Sequence, residues 1–298
     1  MSGPVTGPDV AVADLLRDAT RRLAAAGVPS PAPDAAALLA HVLGSRRGLL
    51  LSHPPVTALQ AEAYADLVDR RAQRVPLQHL TGSAGFRHVL LAVGPGVFVP
   101  RPETEVLAGW AVDRARELVA AGRRPVVVDL CTGSGAIALS VATEVEGARV
   151  LAVELDEDAH RWAGQNLVGS AVELRLGDMA DAFPDLDGTV DVVVSNPPYI
   201  PLEAFESVTP EVRDHDPALA LWSGQDGLDA LRVVERTAAR LLRPGGVVGA
   251  EHAEAQAVTA PAVFAGTQRW QEVRDHRDLA GRPRYVSARR AGARPVGG

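Results

Sequence analysis

The sequence predicts an α/β protein in which a small all-helical domain and a β-hairpin linker precede a larger domain built on a parallel sheet. Three observations carry this prediction. Residues 1–74 place apolar side chains at helical spacing, residues 75–99 are punctuated by Gly and Pro, and residues 100–298 alternate apolar strands with helical segments. We therefore expect three parts with these boundaries.

The first part predicts three helices. Apolar residues recur at helical spacing over residues 10–26, and Gly27 and Pro29 end that run. A second helix begins at Asp34, and a third covers residues 58–74. These short amphipathic segments indicate a compact helical domain.

The remainder of the chain predicts a hairpin followed by alternating helices and strands. Glycines separate the short apolar runs 89–91 and 97–99, a pattern that favours a hairpin. A helix near residues 104–121 comes next. The predicted strands that follow are 126–130, 150–154, 172–176, 190–195, 247–251 and 285–288. Apolar strands separated by helices indicate a parallel sheet with crossover helices on both faces.

Composition excludes several classes of protein. The 298 residues include a single cysteine, and 47% are hydrophobic, so the chain can fold without disulfides. Every basic residue is arginine, which excludes a Schiff-base or phosphate-loop lysine. The net charge of −7 weighs against a direct nucleic-acid partner.

The histidines and Cys131 show no metal-ligand spacing, so we expect no metal. A secretory signal and a membrane-length apolar run are both missing, so we expect a cytoplasmic protein without a membrane partner.

The predicted strand 126–130 leads directly into a glycine-containing turn. That turn consists of Cys131, Thr132, Gly133, Ser134 and Gly135. Glycine permits positive φ and a close approach of ligand to backbone at the start of the next helix. Glu154 ends the following strand, where an acid accepts hydrogen bonds from ribose hydroxyls in nucleoside-binding α/β folds. The turn lacks the patterns that bind a pyrophosphate, so a nucleoside with an amino-acid tail suits it better. A plain strand-to-helix turn and a solvated strand-end charge are the alternatives.

A second motif, Asn196, Pro197, Pro198 and Tyr199, follows the predicted strand 190–195. The two prolines hold the backbone and aim the Asn196 side chain and the neighbouring carbonyls at one point. The oxygens of Asn196 and Pro197 can accept both hydrogens of a planar NH2 group, which orients its lone pair and stabilises positive charge developing on nitrogen. Tyr199 would supply a face for that group to pack on. The alternative is a Pro-rich turn with a helix-capping Asn.

The glycine turn resembles motif I of S-adenosylmethionine-dependent methyltransferases. By that resemblance Asp129 and residues 131–135 face the methionine part of the cofactor, Glu154 holds the ribose, and Asp178 and Met179 flank the adenine. The cysteine at the start of the turn stands where many such loops have glycine, and we favour a packing role for its small side chain.

The whole chain resembles the protein-(glutamine-N5) methyltransferases of the release-factor type. The segments that carry this resemblance, besides the two motifs, are 76–82, 99–105, 224–228 with Arg232, and 277–284. The resemblance implies a Rossmann-like, seven-stranded S-adenosylmethionine-dependent catalytic domain and a helical domain that recognises the substrate. The implied substrate is the glutamine of the Gly-Gly-Gln loop in class 1 peptide chain release factors, which act in translation termination. Asn196 would then contact both cofactor and glutamine, with Pro197, Pro198 and Tyr199 around the substrate.

Other functions share these motifs. A ribosomal-protein glutamine methyltransferase would use the same chemistry, and adenine or cytosine amino-methyltransferases share the N-P-P-Y tetrad. A noncatalytic cofactor-binding module would not require an intact tetrad. Arg101, Glu103 and Thr104 could close over the cofactor or form internal salt bridges and a helix cap. Phe205 and Trp222 could line the substrate cleft or pack in the core.

Overall fold

The computed structural model of the protein describes residues 11–52 and 55–292, except for the side chains of residues 51 and 207. The two chain ends that the predicted division includes lie outside these ranges. Within them, no helix combines the length and the apolar character that crossing a membrane requires.

The described chain divides into two compact units. One unit comprises the residues up to Ser83 together with Thr209–His215, and the other comprises Ala84–Val208 and the residues from Asp216 onward. A segment that follows the N-P-P-Y tetrad in sequence thus belongs to the unit of the N-terminal helices. The three-part division at residues 74 and 99 stays a prediction.

Ten α-helices and nine strands occur in the described ranges. The helices are α1 (Val12–Ala25), α2 (Pro31–Val42), α3 (Ala58–Ala72), α4 (Leu77–Thr81), α5 (Thr104–Ala120), α6 (Ala136–Glu144), α7 (Glu157–Asn166), α8 (Pro210–Arg213), α9 (Asp229–Leu241) and α10 (Thr259–Ala265). The strands are β1 (Ser83–Phe86), β2 (Val89–Ala92), β3 (Val126–Leu130), β4 (Arg149–Glu154), β5 (Glu173–Leu176), β6 (Val190–Ser195), β7 (Leu242–Glu251), β8 (Trp270–Arg277) and β9 (Pro283–Arg290).

The N-terminal helices pack around an aliphatic core. Leu23 of α1 and Leu38 and Leu39 of α2 are fully buried in one cluster, as their helical spacing predicts. Helix α3 begins at a capping box, in which the Thr57 hydroxyl accepts from the backbone N–H of Gln60 and the Gln60 side chain accepts from the backbone N–H of Thr57. This reciprocal pair satisfies two of the N–H groups that a helix start leaves open.

A cluster of charged side chains is buried within the same unit. Arg71 donates to Asp34 at 2.8 Å and to Glu211 at 3.0 Å, and Arg74 donates to both oxygens of Glu211 at 2.6 Å. Burial alone would raise the pKa of Glu211, but the hydrogen bonds from Arg74 and Arg71 hold that pKa below its usual range. The cluster joins residues about 140 positions apart in sequence, so the helical periodicity could not predict it.

The larger unit contains a seven-stranded sheet in the order β5-β4-β3-β6-β7-β9-β8. Strands β3 to β7 pair in parallel, as predicted. Two apolar clusters lie against the sheet: one includes residues of α5 and α6, and the other includes residues of α9 and α10. The predicted fold class is therefore confirmed: an α/β domain with a predominantly parallel sheet and crossover helices.

Three details of the predicted fold are wrong. Strand β9 runs antiparallel to β7 and β8, because only five residues connect β8 to β9 and a parallel return needs a long crossover. Strand β8 escaped prediction, since this sheet-edge strand is rich in charged residues and is interrupted by a bulge between Gln271 and Arg274. The hairpin consists of β1 and β2, and the run 97–99 lies outside any strand. Pro95 and Pro100 flank that run, and proline lacks the N–H group that hydrogen bonding between strands needs.

We expect Arg71→Met to lower the free energy of unfolding by about 3–5 kcal/mol, because its removal leaves the buried carboxylate of Asp34 without its cation, while Glu211 keeps Arg74. Urea unfolding followed by circular dichroism measures this change. Arg17→Met is the matched control: Arg17 also pairs with an aspartate, but its side chain is 72% exposed, so its unfolding curve should stay close to that of the parent protein. Similar curves for the two variants would contradict a stabilising role of the cluster.

Candidate functional site

The carboxyl ends of four neighbouring strands, β4, β3, β6 and β7, meet at one edge of the sheet. Leu130 pairs with Val153 on one side and with Ser195 on the other, and Ser195 pairs with Ala250. The residues that follow these four at the edge are Cys131, Glu154, Asn196 and Glu251. Motifs from separate parts of the chain therefore share the edge at which ligands bind in open α/β sheets.

The loop after β3 turns sharply because three of its residues have positive φ. The values are 60° at Cys131, 57° at Gly133 and 84° at Gly135. The backbone N–H of Thr132 donates to the carbonyl of Val153 at 3.0 Å, which holds the loop against β4. A side chain added at Gly133 would meet open space within 4 Å. This bare backbone at the start of α6 is a surface that a ligand can approach closely.

Asp129 lies buried beneath this loop, with 1% of its surface exposed. Its Oδ2 accepts from the Thr132 hydroxyl at 2.7 Å and from the backbone N–H of Ala138 at 3.1 Å. Burial raises the pKa of Asp129 to about 7, although both hydrogen bonds oppose the shift. Its Oδ1 is buried without a hydrogen-bond partner among the described residues. A buried acceptor without a partner, beneath a bare glycine loop, fits the charged amino-acid tail of a nucleoside such as S-adenosylmethionine.

Cys131 contacts the loop after β5. Its Sγ lies 3.3 Å from Sδ of Met179, and the preceding residue, Asp178, accepts from the backbone N–H of Ala180 at 2.8 Å. Burial raises the pKa of the Cys131 thiol, so the thiol stays protonated near neutral pH. These contacts are consistent with the packing role predicted for Cys131. The positive φ of this residue also explains why glycine suits the position.

Glu154 is fixed by backbone N–H groups rather than solvated. Its Oε2 accepts from Gly133 at 2.8 Å, and its Oε1 accepts from Leu155 at 2.8 Å and from Asp156 at 3.0 Å. Burial raises the pKa of Glu154, and these three bonds oppose the shift. A carboxylate has about four acceptor positions, so one remains for a ligand hydroxyl beside the glycine loop.

The N-P-P-Y tetrad begins where β6 ends. Nδ2 of Asn196 donates to Oγ1 of Thr104 at 3.4 Å, and the Tyr199 hydroxyl donates to Oε1 of Glu251 at 3.2 Å. The backbone carbonyl of Tyr199 accepts from Nε2 of Gln256 at 3.0 Å. Among the described residues, none donates to the Asn196 Oδ1 or to the Pro197 carbonyl oxygen. Two acceptors with fixed neighbours thus lack a donor among the described residues.

The linker residues that were weaker candidates pair within the larger unit. Arg101 donates to the buried carboxylate of Asp216 at 2.7 Å. Oε1 of Glu103 lies 3.6 Å from a guanidinium nitrogen of Arg282. Thr104 begins α5, and its side chain faces Asn196. The internal ion pairs favour the structural alternative for Arg101 and Glu103.

The two aromatic candidates lie together near the tetrad. Phe205 and Trp222 contact each other with ring centroids 5.5 Å apart, and Trp222 forms a bridge with Ile200. Phe205 keeps 50% of its surface exposed. Their geometry is that of a surface aromatic pair beside the tetrad, not of two residues inside the main core.

Two residues at the site were missed by the sequence analysis. Glu251 is a fully buried acid at the end of an apolar strand, the same signal that singled out Glu154. Asn166 donates to the carbonyls of Ala92 and Ser134 at 3.0 and 2.9 Å, and accepts from the N–H of Ala92 at 2.8 Å. It ties the hairpin to the glycine loop, a contact that no local sequence pattern signals.

Two family models match the chain. The PrmC N-terminal domain matches residues 14–82, and a methyltransferase domain matches residues 127–215. Among solved structures, the hMettl16 catalytic domain in complex with the MAT2A 3′UTR hairpin 6 superposes with a TM-score of 0.53, covering 78% of this chain and 84% of that one. At 15% sequence identity this likeness shows the fold alone.

Relatives of known name cover almost the whole chain. The release factor glutamine methyltransferase of Streptomyces coelicolor is 57% identical over 92% of this chain and 96% of its own, and that of Mycolicibacterium smegmatis is 48% identical over 91% and 95%. The 4-amino-L-phenylalanine/4-methylamino-L-phenylalanine methyltransferase of Streptomyces pristinaespiralis is 43% identical over 87% and 89%. With its helical N-terminal domain, its glycine loop and its N-P-P-Y edge, the chain belongs to the release factor glutamine methyltransferase family.

Proposed function

We propose that this protein transfers a methyl group from S-adenosylmethionine to the side-chain amide nitrogen of the glutamine in the Gly-Gly-Gln loop of class 1 peptide chain release factors. The observation that carries the proposal is the pair of acceptors without a donor among the described residues, Asn196 Oδ1 and the Pro197 carbonyl, at the same sheet edge as the glycine loop and Glu154. The names of the relatives at 57% and 48% identity support it.

The residues around the glycine loop fit the cofactor. Glu154 has one acceptor position left for a ribose hydroxyl, and Asp129, beneath the loop, keeps a buried oxygen without a partner among the described residues. Residues 131–135 offer bare backbone to the methionine part, while Asp178 and Met179 border the adenine position beside Cys131. S-adenosylmethionine bound there supplies an electrophilic sulfonium methyl group.

The tetrad prepares the glutamine amide as a nucleophile. An amide nitrogen is unreactive because its lone pair is delocalised, and no ordinary side-chain base can ionise it. Asn196 Oδ1 and the Pro197 carbonyl accept its two N–H bonds, fix the direction of the lone pair and stabilise positive charge as it develops on nitrogen. Pro198 holds the backbone rigid, and the ring of Tyr199 packs against the planar amide.

The proposal extends to partner, location and domain roles. We propose that residues 1–74 recognise the release factor, that residues 75–99 link them to the catalytic part, and that residues 100–298 carry catalysis. The family match over residues 14–82, ahead of the methyltransferase match over residues 127–215, supports an N-terminal domain that precedes the catalytic part. Because the proposed substrate acts in translation termination, we propose that the enzyme works in the cytoplasm.

A second candidate is methylation of a small aromatic amine. The relative named for 4-amino-L-phenylalanine is 43% identical to this chain, so a related scaffold acts on an NH2 group outside a protein. An aniline nitrogen also carries two N–H bonds and a delocalised lone pair, so the same two acceptors suit it.

The deciding experiment incubates the purified protein with methyl-labelled S-adenosylmethionine and a panel of acceptors. The panel contains a class 1 release factor, its Gln→Ala loop variant, 4-amino-L-phenylalanine, ribosomal proteins, ribosomal RNA and DNA. We expect label on the intact release factor and none on the variant. Label on the amine alone, on a ribosomal protein alone or on nucleic acid alone would overturn the release-factor assignment in favour of that substrate.

We expect Asn196→Ala to lower kcat about 100-fold or more, because an acceptor aimed at developing charge contributes that much in comparable sites. Cofactor affinity, measured by calorimetry, should stay within several-fold of the parent value. A parallel loss of cofactor affinity and kcat would mean that Asn196 supports the fold rather than the reaction.

We expect Glu154→Ala to weaken S-adenosylmethionine binding about 10- to 100-fold, since a hydrogen bond to a charged group contributes roughly 1.5–3 kcal/mol. Calorimetric titration measures this Kd. Glu157→Ala is the matched control, because Glu157 is an exposed acid three residues away at the start of α7. Unchanged affinity in the Glu154 variant would refute the ribose assignment.

A further inference from the structure

The carbonyl group that ends the N-P-P-Y tetrad is held by a buried side chain. Gln256, in the short turn after β7, is 5% exposed. Its Nε2 donates to the carbonyl oxygen of Tyr199 at 3.0 Å and to that of Asp226 at 3.1 Å. Its Oε1 accepts from the backbone N–H of Ala253 at 2.9 Å. One carboxamide group therefore joins three segments: the tetrad, residues 224–228 and the turn after β7.

The partners of Gln256 fix the direction in which its amide group points. A carbonyl oxygen can only accept a hydrogen bond, and a backbone N–H can only donate one. Nε2 therefore faces the two carbonyl oxygens and Oε1 faces the N–H, since the reverse orientation would place oxygen against oxygen twice. Both hydrogens of the NH2 group are used, so this buried amide has none left to donate to a ligand.

Gly227 leaves the space in which this contact forms. Its φ is 74°, and a Cβ at this position would overlap the carbonyl oxygen of Tyr199 and lie 2.6 Å from Nε2 of Gln256. Glycine therefore suits the position on two grounds, the backbone conformation and the close approach. Residues 224–228 are one of the segments that carry the family resemblance, and this contact gives them a role at the tetrad.

Backbone pairing beside the tetrad supports the same arrangement. The N–H of Ile200 donates to the carbonyl of Leu221 at 2.9 Å, and the carbonyl of Ile200 accepts from the N–H of Ser223 at 3.0 Å. The residue that follows the tetrad is thus paired with the chain just before residues 224–228. Gln256 adds the hydrogen bond that reaches into the tetrad itself.

The tetrad needs such support because its two middle residues are prolines. Neither Pro197 nor Pro198 has a backbone N–H, so neighbouring groups can hold this part of the turn only through carbonyl groups and side-chain contacts. The pyrrolidine ring also fixes φ at both residues, which makes the turn stiff. A stiff turn whose end is fixed at the Tyr199 carbonyl is therefore also fixed at the Pro197 carbonyl, two peptide groups earlier.

We propose that Gln256 is a positioning residue for the methyl transfer. With Gly227 beside it, Gln256 holds the Tyr199 carbonyl in one place. The tetrad then presents its two acceptors, Asn196 Oδ1 and the Pro197 carbonyl, in a fixed direction before the substrate arrives. The proposal rests on the role proposed above for these two acceptors.

The first test observes the tetrad without any substrate. The chain has two asparagines, Asn166 and Asn196, so selective ¹⁵N-asparagine labelling gives one pair of side-chain NH2 signals for each. Gln256→Met keeps the length of the side chain but removes its three hydrogen bonds, so we expect the Asn196 signals to shift or broaden. Asn166, whose NH2 group donates to two backbone carbonyls elsewhere, is the internal control and should not move.

Asn196 signals that are identical in the parent protein and in Gln256→Met would overturn the proposal. Equal changes at Asn166 and Asn196 would overturn it as well, because they would indicate a change throughout the fold. Since no methyl acceptor is present, these outcomes do not depend on which substrate the enzyme uses. They separate failure of this proposal from failure of the release-factor assignment.

The second test uses kcat, measured at saturating S-adenosylmethionine with whichever acceptor the parent protein labels. We expect Gln256→Met to lower kcat about 10- to 100-fold, because a misplacement of about 1 Å can lower a rate by that much. The Kd of S-adenosylmethionine, measured by calorimetry, should stay near the parent value, since Gln256 contacts the tetrad rather than the glycine loop. An unchanged kcat, or an equal loss of kcat and cofactor affinity, would contradict a positioning role.

Gly227→Ala tests the same contact from its other side. The added methyl group would separate the Tyr199 carbonyl from the Gln256 amide, so we expect kcat to fall as in Gln256→Met. Gly122→Ala is the matched control: Gly122 also has a φ of 74°, but an added Cβ meets nothing within 4 Å. Both variants place alanine at positive φ, and only Gly227→Ala should lose kcat. Equal kcat in the two variants would overturn the proposal.

Glu235→Ala controls for a general loss of stability. Glu235 is 3% exposed, and its carboxylate accepts from Arg269 and Trp270. This contact lies at the start of β8, whereas the other end of β8 lies at the sheet edge of the tetrad. We expect Glu235→Ala to lower Tm, followed by circular dichroism, at least as much as Gln256→Met does, and to keep the parent kcat. An equal loss of kcat in both variants would assign the effect to destabilisation and overturn the proposal.

Discussion

The parallel pairing of β3 between β4 and β6 is the constraint on which the rest of the site depends. Parallel strands in register end at the same edge, so residues separated by dozens of positions in sequence become neighbours there. The buried apolar side chains on both faces of the sheet hold that register, since a slip by one residue would move each of them to the opposite face and disrupt both clusters. Asp129, Glu154 and Asn196 owe their proximity to this pairing rather than to any direct bond between them.

The same edge concentrates acids whose charged forms are costly to bury. Burial raises the pKa of Asp129 and Glu251 to about 7 and raises the pKa of Glu154 as well. Each of these groups destabilises the folded state as pH rises toward neutrality, because the unfolded chain releases the proton more easily. Two of them also retain a buried oxygen without a partner in the described part of the chain. Such unsatisfied acceptors mark a site arranged for ligands and substrates rather than for stability.

Supports for the site come from distant parts of the sequence. Asn166, on α7, bonds to the hairpin and to the glycine loop with one side chain. Gln256 donates to the backbone carbonyl of Tyr199. Gly227 has no side chain, which lets that carbonyl approach closely, since a Cβ there would lie 2.4 Å from the carbonyl oxygen. Rigid neighbours of this kind hold the acceptors of the tetrad in place before a substrate arrives, which lowers the cost of reorganisation.

Local patterns in the sequence determined the fold class, most element boundaries and the two motifs. Helical spacing predicted α1 to α3, and apolar runs predicted β3, β4, β6 and β7. The glycines of residues 131–135 predicted a turn with positive φ. These signals are local, because each depends on residues within one or two turns or strands. The charged edge strand β8 carries no such signal, and its bulge breaks the alternation that would have revealed it.

Only the tertiary structure decided which side chains meet. The bond of Tyr199 to Glu251 joins residues 52 positions apart, the bond of Asn196 to Thr104 joins residues 92 apart, and that of Arg71 to Glu211 joins residues 140 apart. No periodicity spans such separations, since they depend on strand order and on the path of the chain between units. The sequence therefore predicted the chemical groups of the site. The order of the strands in the sheet decided which of these groups share hydrogen bonds and how burial shifts their pKa values.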